Sequence, residues 1–301
     1  MYKIIFFIGL LFSFSPFISA EARPVKVLAS FTILKDFIEN VGGEHVQVDS
    51  IVDPNEDPHV YEPTPDTSKK ILEADIVFFN GLGFETWMSR LVEGADYKGP
   101  LVVATQGITP RLIYDPDLEG ADNVVDPHAW NNVLNARVYV QNIRDALVKQ
   151  DPTHKDIYES NTKAYLKKLD DLEAWIQETL CCVPKEKREI ITAHDAFGYY
   201  GEAYGIKVLA PVGISTEAEA SAWDVAKLVD QIKALKIKVV FVENVSNTKV
   251  MQQLSEETGA QIGGTLYSDS LSEPTGPAPT YIKMMHHNTN LIIKAMEKNE
   301  L

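Results

Sequence analysis

The sequence contains little cysteine and few cations. The only cysteines among its 301 residues are the adjacent pair Cys181 and Cys182. Neighbouring cysteines do not readily reach the geometry of an unstrained disulfide, so no disulfide framework is expected. Residues 1–20 contain one lysine and no acid, and without them the chain carries 27 Lys and Arg against 43 Asp and Glu, a net charge of −16. This shortage of cations argues against nucleic acid as a partner, because phosphate binding requires clustered positive charge.

Long apolar runs are absent beyond the N-terminus. Lys3, the run IIFFIGLLF from Ile4, the break at Pro16 and the small-residue ending at Ala20 predict a secretory signal peptide, residues 1–20, that is cleaved. The run is too short to span a bilayer, and no later stretch reaches the roughly 18 apolar residues of a membrane helix. No cysteine stands near the predicted cleavage site. We therefore expect a free periplasmic protein rather than a lipid-anchored one.

The alternation of the remaining residues predicts an α/β protein. Roughly 280 residues exceed the usual length of one domain and suggest two. Short apolar or β-branched runs alternate with helical stretches in both halves, which favours lobes that each have a mostly parallel sheet flanked by helices. We expect an N-terminal lobe over residues 21–150 and a C-terminal lobe over residues 183–301.

Residues 151–182 differ from both halves. They contain no glycine and, after Pro152, no proline, and their apolar positions follow helical spacing from Ile157 to Leu180. Asp151 is a favourable N-cap residue, and proline suits the first helical turn. We therefore expect one long, rigid helix that joins the lobes. A rigid link predicts a small rocking motion rather than wide hinge closure.

The tripeptide Asp-Pro-His occurs twice, in DPHVYEPTP from Asp57 and in DPHAW from Asp126. Proline fixes its own φ and favours an extended conformation in the preceding residue, so each motif presents its imidazole, His59 or His128, on a stiff corner. Stiff loops suit metal ligands because binding then costs less ordering entropy. Asp-Pro is also common in ordinary turns. The repetition within one lobe favours a shared site.

The seven histidines fall into two groups. His59, His128 and His194 lie in loops beside apolar runs, near the sheet edge where α/β proteins bind ligands. His194 is also compatible with a simple role at a helix start. The other four show no convergence in sequence, and adjacent helical residues point about 100° apart. We do not expect these four to be ligands: His45, His154, His286 and His287.

Several stretches together resemble one known family, the metal-specific solute-binding proteins of ABC transporters, also called the ZnuA/TroA-like or cluster A-I family. The resemblance covers nearly the whole mature chain, in order. The similar stretches include DPHVYEPTPDTSKKILEADIVFFNGLGFETWMSRL, DPHAWNN, TAHDAFGYYGEAYGI, ISTEAEAS, VVFVENVSN and GGTLYSDSLSE. The run EPTP followed by ADIVFFNGLGFE has no simple compositional explanation.

This resemblance implies two α/β lobes joined by one long helix, with a transition-metal ion held between them by four ligands. Carried over position by position, the ligands are His59, His128, His194 and Asp269. Asp269 depends mainly on the resemblance, since by itself it is an acid in a Gly/Ser-rich loop. Four further acids are equally compatible with orienting the imidazoles and with simple capping or turn roles: Asp57, Glu62, Asp126 and Asp195.

Three neutral imidazoles and a carboxylate suit Zn²⁺ in a closed tetrahedral site. Bidentate binding by Asp269 would give five-coordination and admit Mn²⁺ or Fe²⁺. Zinc-dedicated members of the family typically carry a His/Asp-rich insertion, which is absent from RLIYDPDLEGADNVVDPH, and manganese-dedicated members typically have Glu where His194 stands. The signals are mixed, so we expect one Zn²⁺ or Mn²⁺ per chain as the transported ligand.

The resulting hypothesis is a monomeric periplasmic protein, not an enzyme, that delivers its metal ion to a cognate ABC permease. A zinc-dependent hydrolase is the main alternative, but four protein ligands leave no open position for water, and the sequence contains no HExxH. A dinucleotide enzyme is less favoured, because NGLGFE lacks the third glycine of its motif. A metal-binding adhesin is a third alternative.

Overall fold

The computed structural model describes residues 23–114, 123–217 and 219–299. The predicted signal peptide, residues 1–20, lies outside the described residues. Helices alternate with mainly parallel strands in both halves, and a long helix lies between them. The predicted fold class is therefore confirmed.

The first half is built on a parallel sheet in the order β2-β1-β3-β4. Four residues of β1 and three of β3 are buried, and eight residues of α1, among them Phe37, are also buried. Parallel strands end at one edge, and the loops that follow β2 and β3 leave from that edge. The elements are β1 (Val25–Ala29), α1 (Thr32–Gly42), β2 (Val46–Ser50), α2 (Pro65–Glu73), β3 (Ile76–Phe79), α3 (Met88–Gly94) and β4 (Leu101–Val103).

A small antiparallel hairpin departs from the parallel pattern. Its strands, β5 (Leu112–Tyr114) and β6 (Asn123–Val125), pair Leu112 with Val125. The second Asp-Pro-His motif follows β6 directly, so the hairpin fixes where that loop begins. Helix α4 (Val133–Gln150) follows, and the Asn132 side chain caps it by accepting from the Leu134 N–H at 2.8 Å.

The linking segment is a short 3-10 turn, Pro152–His154, followed by α5 (Lys155–Leu180), which packs against α1, α4 and α9. The predicted N-cap residue Asp151 precedes this 3-10 turn, with Pro152 at its first position, rather than α5 itself. The Asp151 carboxylate accepts from the Tyr158 hydroxyl and lies 2.6 Å from His154 Nδ1. At 1.5 Å per residue, the 26 residues of α5 span about 39 Å. The predicted apolar face is buried from Tyr165 onward, but Ile157 is exposed and Tyr158 takes the buried position.

The second half contains two parallel strand pairs, β7 with β8 and β9 with β10. All five residues of β9 are buried, including its terminal Glu243. The elements are β7 (Glu189–Ile191), α6 (Gly198–Tyr204), β8 (Lys207–Leu209), α7 (Ala222–Ala234), β9 (Val239–Glu243), α8 (Thr248–Thr258), β10 (Gln261–Leu266) and α9 (Tyr281–Lys298).

Cys181 and Cys182 follow the end of α5, and both are exposed free thiols with their sulfurs 3.7 Å apart. None of the helices in the described part of the chain combines the length and the apolar character needed to cross a membrane.

Candidate metal centre

Four side chains from distant parts of the sequence meet in one buried cluster. One ligand atom from each lies within 4.8 Å of those of the others, and the residues are His59, His128, His194 and Asp269. Each is at most 4% exposed. These are the four candidate ligands that the sequence analysis names, and the structure brings all of them together.

The two Asp-Pro-His corners share one local geometry. Asp57 Oδ1 accepts from the His59 backbone N–H at 2.9 Å, and Asp126 Oδ1 accepts from the His128 backbone N–H at 3.0 Å. Each aspartate therefore forms a tight turn through the proline onto the histidine two residues later. The proline carbonyls are also held, because Pro58 accepts from Trp87 Nε1 and Pro127 from the Asn80 amide.

The two aspartates differ in what else they bind. Asp126 Oδ1 lies 2.8 Å from His128 Nδ1 and so orients the imidazole ring directly. Asp57 instead uses its second oxygen to accept from the Thr216 hydroxyl at 2.6 Å. Only Asp126 of this pair meets the role of an imidazole-orienting acid that we considered for both. The His59 ring packs edge-on against Phe84, with ring centres 4.8 Å apart.

His194 follows β7 and extends its pairing through a parallel bridge to Val212. Its Nδ1 lies 2.7 Å from Glu243 Oε2. The other oxygen of Glu243 accepts from the backbone N–H groups of Ala193 and His194, at 2.8 and 3.0 Å. The ring and the main chain of His194 are thus both held by the acid that ends β9.

Glu243 is the functional residue that the sequence analysis missed. The available signal was an acid at the end of an apolar strand, VVFVE, but the sequence gives no indication that it contacts a histidine 49 positions earlier. Asp195, which we considered for this role, instead faces the charge of Arg111 and donates its backbone N–H to Gly213. Glu62 is exposed. Within the described residues, neither acid contacts an imidazole of the cluster.

Asp269 lies in the loop after β10 and faces all three rings. Its Oδ2 lies 3.1 Å from His194 Nε2 and 3.6 Å from His59 Nε2, and its Oδ1 lies 3.5 Å from His128 Nε2. The Nε2 atoms of His59 and His128 are 3.2 Å apart. The neighbouring backbone is fixed, since the Ser268 carbonyl accepts from Trp130 Nε1 at 2.9 Å.

Polar atoms at the centre of the cluster lack hydrogen-bond partners. In the described part of the chain, both Asp269 oxygens and His194 Nε2 are buried without one. Leaving a charged oxygen desolvated and unpaired costs several kcal/mol in general, so such groups are normally paired or bound to metal. Asp269 Oδ2 and His194 Nε2 face each other at 3.1 Å across the space between the four side chains.

The electrostatics of the cluster follow from burial and the carboxylates. Burial lowers the pKa of His59 to about 3, although Asp269 opposes the shift. Burial also acts to lower the pKa of His194, but the charges of Glu243 and Asp269 outweigh it and raise that pKa well above the usual value. For Asp269, burial acts to raise the pKa, and the surrounding imidazoles, His194 first, bring it below the usual range. The carboxylate is therefore ionised across the physiological range.

The remaining histidines lie elsewhere. The ring of His45 stacks on that of His154 at 3.9 Å, and His286 packs on Trp175 at 4.1 Å. His287 Nε2 lies 2.9 Å from the Thr265 carbonyl. None of these histidines belongs to the four-residue cluster.

A cavity of about 510 Å³ borders the cluster on the side of His194. Asp57 and Thr216 line it together with residues of the loop that follows β9. Because His194 itself lines it, this cavity is a space through which an ion could approach the buried donors.

Comparisons with known proteins agree on the family. Residues 27–295 match the family model "Zinc-uptake complex component A periplasmic". The chain is 38% identical over 276 residues to the iron-binding protein YfeA of Yersinia pestis, covering 92% of this chain and 88% of the relative. It is 36% identical over 280 residues to the manganese-binding lipoprotein MntA of Halalkalibacterium halodurans, covering 93% and 91%.

Solved structures agree as well. The periplasmic zinc-binding protein TroA from Treponema pallidum superposes with a TM-score of 0.83 at 30% identity, over 91% of this chain and 99% of that one. A manganese-bound periplasmic metal-binding protein from Candidatus Liberibacter asiaticus gives a TM-score of 0.80 at 32% identity, over 90% and 99%. With the buried cluster and the α/β fold, these similarities establish that the chain belongs to the family of metal-binding solute-binding proteins of ABC transporters.

Proposed function

We propose that this protein captures one Zn²⁺ or Mn²⁺ ion per chain with His59, His128, His194 and Asp269 and delivers it to a cognate ABC permease. The observation that carries the proposal is the convergence of four buried donors, of which both Asp269 oxygens and His194 Nε2 have no hydrogen-bond partner within the described residues. A cation would satisfy those atoms and neutralise the buried carboxylate of Asp269.

The separations of the donors support a four-coordinate ion. Ligands about 2.0 to 2.1 Å from a shared tetrahedral centre lie roughly 3.3 to 3.4 Å from one another. Four of the six pairs of residues have donor separations of 3.1 to 3.6 Å, and one ligand atom from each residue lies within 4.8 Å of the others. The three imidazoles approach through Nε2, so Nδ1 of His128 and of His194 is free to contact Asp126 and Glu243.

The chemistry of the donors predicts an order of affinity among the metals but does not identify the ion that is transported. Nitrogen-rich sites bind Zn²⁺ more tightly than Mn²⁺ by the Irving-Williams order. Bidentate binding by Asp269 would raise the coordination number and favour Mn²⁺ or Fe²⁺. The relatives are named for iron, manganese and zinc, so membership of the family supports a transition metal of this group.

A binding role is preferred to catalysis. Four protein ligands fill a tetrahedral shell, whereas catalytic zinc keeps a position for water. The acids next to the cluster, Asp126 and Glu243, already contact imidazole nitrogens and do not face an open position. The hydrolase alternative therefore has no support from the site.

The protein is proposed to be a periplasmic monomer whose signal peptide, residues 1–20, is cleaved. Residues 21–150 and 183–301 are proposed to be two lobes joined by the helix in 151–182. His59 and His128 would come from the first lobe, and His194 and Asp269 from the second. An ion would then tie the lobes together, which gives the permease a difference to recognise between loaded and empty forms.

Calorimetric titration of the mature chain after chelation tests the proposal. We expect one equivalent of Zn²⁺ to bind, with Mn²⁺ binding at the same site more weakly. His128→Ala should lose the binding, because it removes a donor and leaves Asp126 Oδ1 without the imidazole that it contacts. His286→Ala is the matched control, since that ring packs on Trp175 away from the cluster. Failure of the mature chain to bind either metal, or equal binding by His128→Ala, would refute the proposal.

A further inference from the structure

Arg111 connects the cluster to the surface of the second half of the chain. Its Nη1 lies 3.0 Å from Asp126 Oδ2, and its Nε lies 2.8 Å from Glu202 Oε1 on α6. The other oxygen of Asp126 contacts His128 Nδ1. A continuous series of polar contacts thus runs from the exposed Glu202 through Arg111 and Asp126 to His128.

The series crosses between distant parts of the chain. Arg111 and Asp126 lie at the base of the β5–β6 hairpin, where the Asp126 N–H donates to the Arg111 carbonyl at 2.9 Å. Tyr199 of α6 accepts from the Arg111 N–H at 2.8 Å and donates its hydroxyl to the Asp126 carbonyl at 3.1 Å. The backbone and the side chains of this pair are therefore both fastened to α6.

Gly198 leaves the space in which the pair lies. A Cβ atom at this position would stand 2.3 Å from Arg111 Nη1 and 2.8 Å from Asp126 Oδ2. Both distances are shorter than Cβ atoms come to other heavy atoms in proteins, so a side chain here would require a shift. The guanidinium and the carboxylate thus lie directly on the backbone at the start of α6. An alanine at this position would displace them without removing either charge.

The exposure of the side chains falls along the series from Glu202 through Arg111 to Asp126. The Asp126 side chain is fully buried, that of Arg111 is 21% exposed and that of Glu202 is 66% exposed. A fully buried carboxylate is stable only while it is paired, so Asp126 relies on Arg111 as well as on His128. Arg111 presents donors in fixed directions on a planar guanidinium, Nη1 to Asp126 and Nε to Glu202, a geometry that the single nitrogen of a lysine does not reproduce.

We propose that Arg111 is a positioning residue that couples metal retention at His128 to the packing of α6. This inference rests on the proposed function and deepens it. Displacement of Glu202 would weaken the hold of Arg111 on Asp126, and Asp126 would then fix the orientation of the His128 ring less firmly. Because such coupling is reciprocal for binding, the occupied site also holds α6 more firmly against the hairpin.

The test is the rate of Zn²⁺ release into a competing chelator, measured on the mature chain and its variants. Arg111→Gln should release zinc about tenfold faster, in the range found when groups that orient metal ligands are removed. Gly198→Ala should do the same, because it displaces the guanidinium. Glu202→Gln should accelerate release about two- to fivefold, as expected for a partly exposed ion pair. The control Arg144→Gln removes a guanidinium that pairs with Asp145 on α4 and should leave the rate unchanged.

A double-mutant cycle separates positioning from a general loss of stability. If Arg111 acts through Asp126, then Arg111→Gln adds no further acceleration in an Asp126→Asn background, whereas independent effects multiply. Multiplied effects, or an Arg111→Gln rate equal to that of the unaltered chain, would overturn the inference and leave the proposed function intact. An unaltered chain that binds no zinc would overturn both. Glu202→Gln changes only an exposed contact, so it keeps the test decisive if Arg111→Gln does not fold.

Discussion

At the scale of single residues, the two Asp-Pro-His corners use their aspartates differently. Both aspartates hold the backbone of the histidine that follows, but only Asp126 also contacts a ring nitrogen. His194 obtains its carboxylate partner from Glu243, which lies 49 positions later. A carboxylate beside Nδ1 favours the tautomer in which Nδ1 carries the proton and Nε2 offers its lone pair to the metal, and it increases the basicity of Nε2.

Glu243→Gln tests this role without disturbing the main chain. The glutamine oxygen can still accept from the N–H groups of Ala193 and His194, while its NH2 group replaces the oxygen that faces His194 Nδ1. The substitution therefore removes the charge and the acceptor at the ring and keeps the bonds to the main chain. We expect zinc affinity to fall about 10- to 100-fold, as it does when such partners are removed elsewhere. Competition with a chelator of known affinity measures the change. Glu189→Gln, on β7 and paired with Lys207, is the control, and equal affinities for the two variants would contradict the assigned role.

The residues that sequence reasoning could identify are those with a local signal. His59 and His128 stand in a repeated, proline-stiffened motif, so the motif itself indicated a shared site. Asp269 carries no local signal and was named only through resemblance to the family. Glu243 acts across a long-range contact, and its partner is fixed by how β9 packs beside β7, which no local pattern encodes.

At the scale of secondary-structure elements, the alternating pattern predicted the α/β fold, and the departures have physical causes. The α-helix of the linking segment begins at Lys155, after a 3-10 turn that Asp151 precedes, and the Asp151 carboxylate reaches across this turn to the Tyr158 hydroxyl. Ile157 fits the helical period of apolar residues, yet Ile157 is exposed and the next residue, Tyr158, is buried in its place. The buried face of the first turn of α5 therefore follows the packing of the larger tyrosine ring and not the periodicity of the sequence.

Three helices meet at one buried acid, Asp36 of α1. Its carboxylate accepts from the Tyr281 N–H of α9 at 3.1 Å and from the Tyr165 hydroxyl of α5 at 3.3 Å. Burial raises the pKa of Asp36 to about 6, although these hydrogen bonds oppose the shift. The junction therefore joins the two halves through a group that titrates near neutral pH.

Asp36→Asn should change how stability depends on pH. The unfolded chain releases this proton near pH 3.8 and the folded chain near pH 6. A raised acid pKa favours folding at low pH, and that contribution is lost as the pH rises from 3.8 through 6. Asparagine cannot ionise and its oxygen can keep both hydrogen bonds, so we expect the variant to be more stable at pH 7.5 by about 1 to 3 kcal/mol.

Urea unfolding of metal-free protein at pH 7.5 and pH 4 measures this difference. The gain in the free energy of unfolding should shrink toward pH 4, where Asp36 is protonated in the folded chain. A variant that is less stable than the unaltered protein at both pH values would contradict the assignment. Asp170→Asn, on an exposed part of α5, serves as the control.

At the scale of the whole molecule, we expect α5 to restrict how far the two halves can move. It is one uninterrupted helix whose buried face packs on α1, α4 and α9. We therefore expect removal of the metal to leave the overall dimensions nearly unchanged, with a radius of gyration of about 19 Å in both forms. Small-angle X-ray scattering of zinc-loaded and chelated protein measures this, and a clear expansion on chelation would contradict the rigid link.

The central claim is that three imidazoles and one carboxylate hold a single ion, and X-ray absorption at the zinc edge tests it most directly. The mature chain, loaded with one equivalent of Zn²⁺, should show only nitrogen and oxygen neighbours at about 2.0 to 2.2 Å, with the outer-shell scattering of three imidazoles. That scattering should diminish in His59→Ala. Sulfur neighbours at about 2.3 Å would instead place the ion at Cys181 and Cys182 and contradict the account.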